Sequence, residues 1–254
     1  MAITIKSERE IELMAEAGKI LERVHNELEK ALHPGMSTKD IDILGEEIIR
    51  SYGCIPSFLN YNGYPASICV SVNQEVVHGI PNKHRIIHEG DIVSLDAGVI
   101  YKGYHSDAAR THAVGEVSEE AKKLIQVTKE CFFEGIKYAK AGNHLFDISG
   151  AIGRYAEERG YGVVRDLCGH GIGTALHEAP EIPNYEVGRK GVKLRPGMTL
   201  AIEPMINIGN YEVDWLDDDW TVVTRDGSLS AHYENTILIT EGEPRILSLT
   251  CDNE

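Results

Sequence analysis

The chain has 254 residues, 42% of them hydrophobic, and a formal net charge of −15. That length supports one large α/β domain or two small ones around a sizeable core, and the composition excludes a disordered chain. The acidic balance argues against nucleic acid or an anionic membrane as partner, and no run of residues is apolar and long enough to span a bilayer.

The first element in chain order is a helix. Ser7-Glu8-Arg9-Glu10 reads as a capping box, and Ile11, Met14, Leu21, Val24 and Leu28 follow at helical spacing up to Pro34-Gly35. Ser37 with Asp40 starts a second helix that runs to about Ser51. Apolar β-rich runs predict strands over 66–72 and 91–100, with 105–117 returning antiparallel to the latter. Ser118-Glu119-Glu120 opens a third helix that Gly142 ends, and a fourth carries Ile148, Ile152 and Tyr155. Near the end, TVVT (221–224), a turn at Asp226-Gly227 and ENTILIT (234–240) read as a hairpin. The five cysteines (Cys54, Cys69, Cys131, Cys168 and Cys251) contain no Cys-x-x-Cys, so neither a disulfide framework nor a cysteine zinc site is expected. With no apolar h-region in MAITIKSERE, a reducing, cytoplasmic location is expected.

The chain repeats itself at a fixed offset. Gly35 and Gly142 are 107 apart, as are Asp40 and Asp147, Ile41 and Ile148, Gly53 and Gly160, Gly90 and Gly197, and Asp96 and Glu203. GDIVSLD (90–96) and GMTLAIE (197–203) are one strand written twice, each with an acid six residues after its glycine. Two helix–helix–strand halves related by a pseudo-two-fold follow, roughly 7–112 and 118–240, within one compact domain over 1–254. A scaffold without chemistry would keep Leu or Val where these acids stand.

Asp96 and Asp107 in the first half, and Glu203 and Glu234 in the second, interrupt apolar strand patterns. His170 sits in CGHGIG (168–173), whose glycines allow close backbone approach. Two carboxylates about 4 Å apart repel by roughly 4 kcal/mol at an effective dielectric near 20. Arg110 could neutralise one pair at most, and no basic run flanks the others. Four carboxylates and one imidazole suit two divalent ions such as Mn, Fe, Co or Zn, and only the carboxylates can bridge them. His78 (in EVVHGIP) and His177 (in GTALHEAP) are candidates to hydrogen-bond a carbonyl oxygen or a leaving nitrogen beside such ions, or else are structural imidazoles. His25, His33, His84 and His88 fall in polar helix or loop contexts and receive no role. Phe58, Tyr61 and Tyr64 surround a turn and could wall an apolar pocket.

NYNGYPASICVSVNQEVVHGIP, DIVSLDAGVIYKGYHSDAARTHAVG, CGHGIGTALHEAP, PGMTLAIEP and WTVVTRDGSLSAHYENTILIT, in that order, resemble bacterial-type (type I) methionine aminopeptidases of peptidase family M24, across nearly the whole chain. The resemblance implies the α/β (α+β) pita-bread fold shared with creatinase and prolidase: two pseudo-symmetric halves around a curved antiparallel sheet. Carried over by motif, Asp96, Asp107, His170, Glu203 and Glu234 would be the metal ligands, with Asp107 and Glu234 bridging. His78, His177 and Glu203 would be catalytic, and Tyr61, Tyr64, Cys69 and Trp220 would join the two histidines in binding substrate. Phe58 and Leu176 depart from the family, which often carries a cysteine and an aromatic there. The implied reaction removes the initiator methionine from nascent polypeptide N-termini when the second residue is small, by attack of a metal-bridging hydroxide. The protein would be a monomer. Three rivals fare worse. An Xaa-Pro peptidase would carry a large N-terminal domain, whereas the repeat begins by residue 7; a non-catalytic relative would lack the ligands; a phosphoesterase would surround them with basic residues.

Overall fold

The computed structural model describes residues 3–249, so Cys251 and the ends of the expected 1–254 domain lie outside the described residues. Helix α1 spans Glu8–Ala31, and its Ser7–Glu10 capping box forms. Helix α2 spans Thr38–Ser51 with a second capping box, Ser37–Asp40. In the second half α3 covers Glu119–Ile136 and α4 covers Leu145–Glu157. The third helix therefore stops at Ile136, short of Gly142. Gly142 instead turns at φ 95° and donates its N–H to the Leu194 carbonyl, at 3.1 Å. Gly35 also has φ 95°, and its N–H meets the Ile87 carbonyl at 2.8 Å, again offset by 107 at both ends. The isolated bridges Ser37–Ile86 and His144–Lys193 repeat the same offset. The duplication legible in the sequence is thus a duplication of backbone contacts.

Both halves contribute to one nine-stranded sheet, whose paired strands are all antiparallel. The first half supplies Ile68–Val72, Ile92–Tyr101 and Tyr104–Ala113; the second supplies Gly169–Gly171, Glu178–Ile182, Thr199–Ile202 and Glu234–Leu238. The halves join where Tyr104–Ala113 pairs with Glu234–Leu238, through Glu234–Ala109 and Asn235–Ala108. Side chains alternate across a strand. Leu95, Ala97, Val99 and Ala108 therefore turn one way and pack with Leu21, Val24 and Ile48 of α1 and α2. Leu200, Ile202 and Ile237 pack in the same manner with Leu124, Phe132, Ile148 and Ile152 of α3 and α4. The helices cover one face of the sheet, and the interrupting acids point to the other.

The expected terminal hairpin does not form. Val222–Thr224 pairs with Val213–Trp215 and Glu75–Val77 in a separate three-stranded sheet, while Glu234–Leu238 lies in the main sheet between Tyr104–Ala113 and Thr199–Ile202. Every residue of Glu234–Leu238 is buried, as befits a central strand held by long-range partners. A turn signal between two apolar runs cannot distinguish that arrangement from local pairing.

Candidate metal centre

Strand register brings the ligand candidates together. Cys69 faces Asp96, Asp96 faces Ala109, and Ala109 faces Glu234. Directly paired residues share a face, and so do residues two apart. Asp107 therefore joins the row from two positions before Ala109. On the other side of the junction Thr236 faces Ala201, which faces His170, and Glu203 follows Ala201 by two. One face thus presents Cys69, Asp96, Asp107, His170, Glu203 and Glu234. The backbone at His170 comes close to its neighbours because Gly169 and Gly171 lack side chains. A Cβ on Gly169 would lie 2.4 Å from the Ala201 carbonyl oxygen, and one on Gly171 would lie 2.2 Å from that of Ala179.

His170 Nε2 lies 3.6 Å from Glu203 Oε1 and 3.8 Å from Asp107 Oδ2. One ligand atom each from Asp107, His170 and Glu234 falls within a 4.8 Å cluster. His170 Nδ1 donates to the Gly171 carbonyl at 2.8 Å, so a neutral ring turns the lone pair of Nε2 toward the carboxylates. Burial keeps that ring neutral, pulling its pKa down to about 3. Burial drives Asp96, Glu203 and Glu234 well above the ordinary carboxylate range, and the Asp107 charge pushes each further. Asp107 is itself raised by burial. Asp96 Oδ1, Asp107 Oδ1 and Glu234 Oε1 are buried without a hydrogen-bond partner.

The nearby cation relieves only Glu234, and by less than burial and the neighbouring acids oppose it. The Arg110 guanidinium donates to the carbonyls of Ala109 (2.7 Å) and Glu234 and to Asn235 Oδ1 (2.6 Å), and stacks on Tyr233. Among the described residues no Lys or Arg pairs with any of the four acids; their ion-pair contacts are to histidines. A lone pair and four crowded carboxylates, several with idle oxygens, are the donor set a divalent cation requires. The residues present fit a metal centre.

A cavity of about 130 Å³ opens over these groups, and all eleven residues singled out in the sequence line it: Tyr61, Tyr64, Cys69, His78, Asp96, Asp107, His170, His177, Glu203, Trp220 and Glu234. Phe58, Asn62 and Leu176 complete its wall. Tyr64 and Trp220 meet edge to face at 5.1 Å, as do Trp220 and His78 at 6.2 Å. His78 holds a left-handed backbone, φ 59°, uncommon for a residue with a side chain and concentrated at functional sites. Burial lowers its pKa to about 4. The Tyr61 hydroxyl lies 2.8 Å from His177 Nδ1, and the His177 and His170 rings stand edge to face at 4.1 Å. Behind His177, Glu178 accepts from Lys6 and from Thr4, both at 2.6 Å, so residues 4–6 brace the loop that carries the histidine.

Sequence reasoning missed several supports. Thr236 Oγ1 accepts from the Asp107 N–H and donates to its carbonyl, both at 2.9 Å. Asn184 Nδ2 donates to the Glu203 carbonyl at 3.0 Å. His25, given no role, is buried and its Nε2 donates to the Ala108 carbonyl at 2.9 Å, directly behind Asp107. His232 is buried with Nε2 4.0 Å from both Glu203 Oε2 and Glu234 Oε2. Its position two residues before Glu234 was the available signal.

Comparison with known proteins agrees with this geometry. The family model described as metallopeptidase family M24 matches residues 12–241. The chain belongs to metallopeptidase family M24. Within that family it falls among the bacterial methionine aminopeptidases. It is 58% identical to the methionine aminopeptidase of Clostridium acetobutylicum, over 97% of this chain and 99% of that one. The crystal structure of the Thermotoga maritima methionine aminopeptidase superposes with a TM-score of 0.96 at 47% identity, covering 98% of this chain and all of the other. The Xaa-Pro dipeptidase of Bacillus anthracis is more distant, at 27% identity and a TM-score of 0.78, and this chain covers 62% of it. The fold is the one these M24 enzymes share, two pseudo-symmetric halves on one antiparallel sheet.

Proposed function

We propose that this chain removes N-terminal methionine from polypeptides whose second residue is small, using two divalent ions held by Asp96, Asp107, His170, Glu203 and Glu234. The observation that carries the reading is the convergence of the His170 lone pair, three buried carboxylates and the partly exposed Glu203, none paired with Lys or Arg among the described residues, on the floor of a small aromatic-walled cavity. Asp107 and Glu234 sit on the adjoining strands of the two halves, so they are the residues that would be shared by ions held from either half. Divalent ions bound there would supply Lewis acidity and a water activated at neutral pH.

The rest of the chemistry belongs to the side chains. Tyr61, Tyr64, Cys69 and Trp220, with Phe58 and Leu176, make a largely apolar wall suited to one unbranched thioether side chain. The acidic floor holds the free α-ammonium of a substrate, which restricts cleavage to the first peptide bond. Glu203 is the least buried of the acids paired with histidine, 14% exposed against 5% for Asp107 and 2% for Glu234. It is the one best placed to take a proton from water and return it to the leaving amine. With the Tyr61 phenol donating to His177 Nδ1, the ring proton of His177 sits on Nε2, available to the oxyanion that develops on the methionine carbonyl. His78, held beside Trp220, contacts the scissile amide.

We further read residues 1–254 as one catalytic domain, the protein as a cytoplasmic monomer, and its substrates as nascent chain N-termini. Among the described residues no helix is long and apolar enough to cross a membrane.

A three-peptide panel tests the assignment. Metal-stripped protein reloaded with Mn²⁺ or Co²⁺ should hydrolyse Met-Ala-Ser, and should cleave Met-Lys-Ser and Ala-Pro-Ala on the order of 100-fold more slowly or not at all. Equal cleavage of all three would remove the substrate assignment, and preference for Ala-Pro-Ala would favour the Xaa-Pro specificity of the distant relatives.

A further inference from the structure

His232 is a buried imidazole beside the acids that the proposed chemistry leaves idle. It is 2% exposed, and neither ring nitrogen has a hydrogen-bond partner. Its main chain is fixed on both sides. The His232 N–H donates to Thr111 Oγ1, and Thr111 Oγ1 donates to the His232 carbonyl, each at 2.9 Å. Thr236 clamps the main chain of Asp107 in the same way. The two clamps cross the junction of the halves in opposite directions, each a threonine of one strand gripping a site residue of the other. A ring on so constrained a backbone is aimed rather than adventitious.

What it is aimed at is specific. His232 Nε2 stands 4.0 Å from Glu203 Oε2 and 4.0 Å from Glu234 Oε2, as His170 Nε2 stands 3.6 Å from Glu203 Oε1 and 3.8 Å from Asp107 Oδ2. Glu203 therefore lies between two imidazoles. His170 turns a lone pair to the carboxylates, because its Nδ1 proton is spent on the Gly171 carbonyl. Nothing spends the proton of His232. At 4.0 Å neither contact is a formed hydrogen bond, and Nε2 is equidistant from the two carboxylates. The residue also lines a second cavity, of about 370 Å³, with Arg110, His25 and His112.

Resting on the metal-centre reading above, we propose that His232 is a positioning residue whose Nε2–H donates to the Glu203 and Glu234 carboxylates and holds them in the orientation that binds metal. Groups that hydrogen-bond to metal ligands typically change metal affinity or activity by about 10–100-fold when removed. A neutral imidazole suits the task. It offers one N–H beside two acids without adding a cation that would compete with the metal.

The test is titration of metal-stripped protein with Mn²⁺ by calorimetry, alongside thermal unfolding of the same metal-free samples. His232→Leu should weaken Mn²⁺ binding by about 10–100-fold. His232→Gln, which keeps a donor at similar reach, should bind within about threefold of the parent chain, a margin well inside that loss. If the leucine variant does not fold, His232→Met supplies an unbranched side chain without a donor. Unchanged affinity in the donor-less variant would overturn the proposal. So would a glutamine variant as weak as leucine and short of one metal equivalent, which would make His232 a ligand instead. A parent chain that binds no Mn²⁺ at all would sink the metal-centre reading itself, an outcome distinct from either.

Discussion

Asp107→Asn should abolish turnover while leaving the metal-free protein folded and no less stable than its parent. The Asp107 charge raises the pKa of Asp96, Glu203 and Glu234 alike, so it is the hub of repulsion among the acids, and in the proposed metal centre it would be shared by both ions. Asparagine keeps the shape of the side chain. Thr236 grips the backbone of residue 107 and not its carboxylate, so the strand has no reason to move. The variant loses an anionic bridge that an amide cannot replace. A fall of at least ~10³-fold in kcat/KM is expected, equivalent to about 4 kcal/mol of transition-state stabilisation. The metal-free melting temperature should hold or rise, because one of four crowded acids, whose ionisation burial and its neighbours oppose, is gone. Activity within tenfold of the parent at undiminished metal content would defeat the bridging assignment.

The second large effect is the pH dependence of metal-linked stability. Burial raises the four carboxylates in the folded protein, so the metal-free fold retains protons that the unfolded chain releases above about pH 4. A state that retains protons loses ground as pH rises, and this contribution to stability falls from about pH 4 until the raised folded values are passed. The buried histidines act in the opposite sense, since His78, His170 and His232 have folded pKa values of about 4, 3 and 3. They cost stability as pH falls below about 6.5, where the unfolded chain takes up protons that the fold refuses. Above that value they are neutral in both states, and the carboxylates dominate. The melting temperature of the stripped protein should therefore decline between about pH 6.5 and 8.5. Mn²⁺ replaces the protons, so its affinity and its stabilising effect should grow over the same interval. At about 100 times its dissociation constant, Mn²⁺ should add roughly 2.7 kcal/mol, or on the order of 5–10 °C for a chain of this size. Scanning calorimetry at several pH values reads both trends. A metal-induced shift that shrinks as pH rises, or no shift at any pH, would contradict the assignment of these carboxylates as ligands.

How much of this was legible in the sequence depended on what each residue needed for recognition. Asp96 and Glu203 announced themselves because a carboxylate inside an apolar strand is costly and because the chain writes the same strand twice. The capping boxes at Ser7 and Ser37 are local chemistry, and both helices begin where it says. Strand partners are not local. The run Glu234–Leu238 is set by Ala108, Ala109 and residues 199–202, distant in sequence, so its spacing from TVVT suggested a hairpin the structure does not contain. Thr236, Asn184 and His25 were invisible for the same reason. Each acts on a main-chain atom of another element, and only the register shows which. Arg110 stood in plain view and was weighed as a counter-ion, yet it spends its donors on Asn235 and on carbonyls. Phe58 and Leu176, which the resemblance marked as unusual, line the same cavity and pack together with Tyr64 and Cys69 in one apolar cluster.

The most direct measurement is anomalous diffraction from crystals soaked in manganese. Two peaks should appear, about 3.5–4 Å apart, each within bonding distance of carboxylates from both halves, one of them beside His170 Nε2 and the pair spanned by Asp107 and Glu234. Crystals that diffract well and show no manganese among Asp96, Asp107, His170, Glu203 and Glu234 would contradict the account at its root.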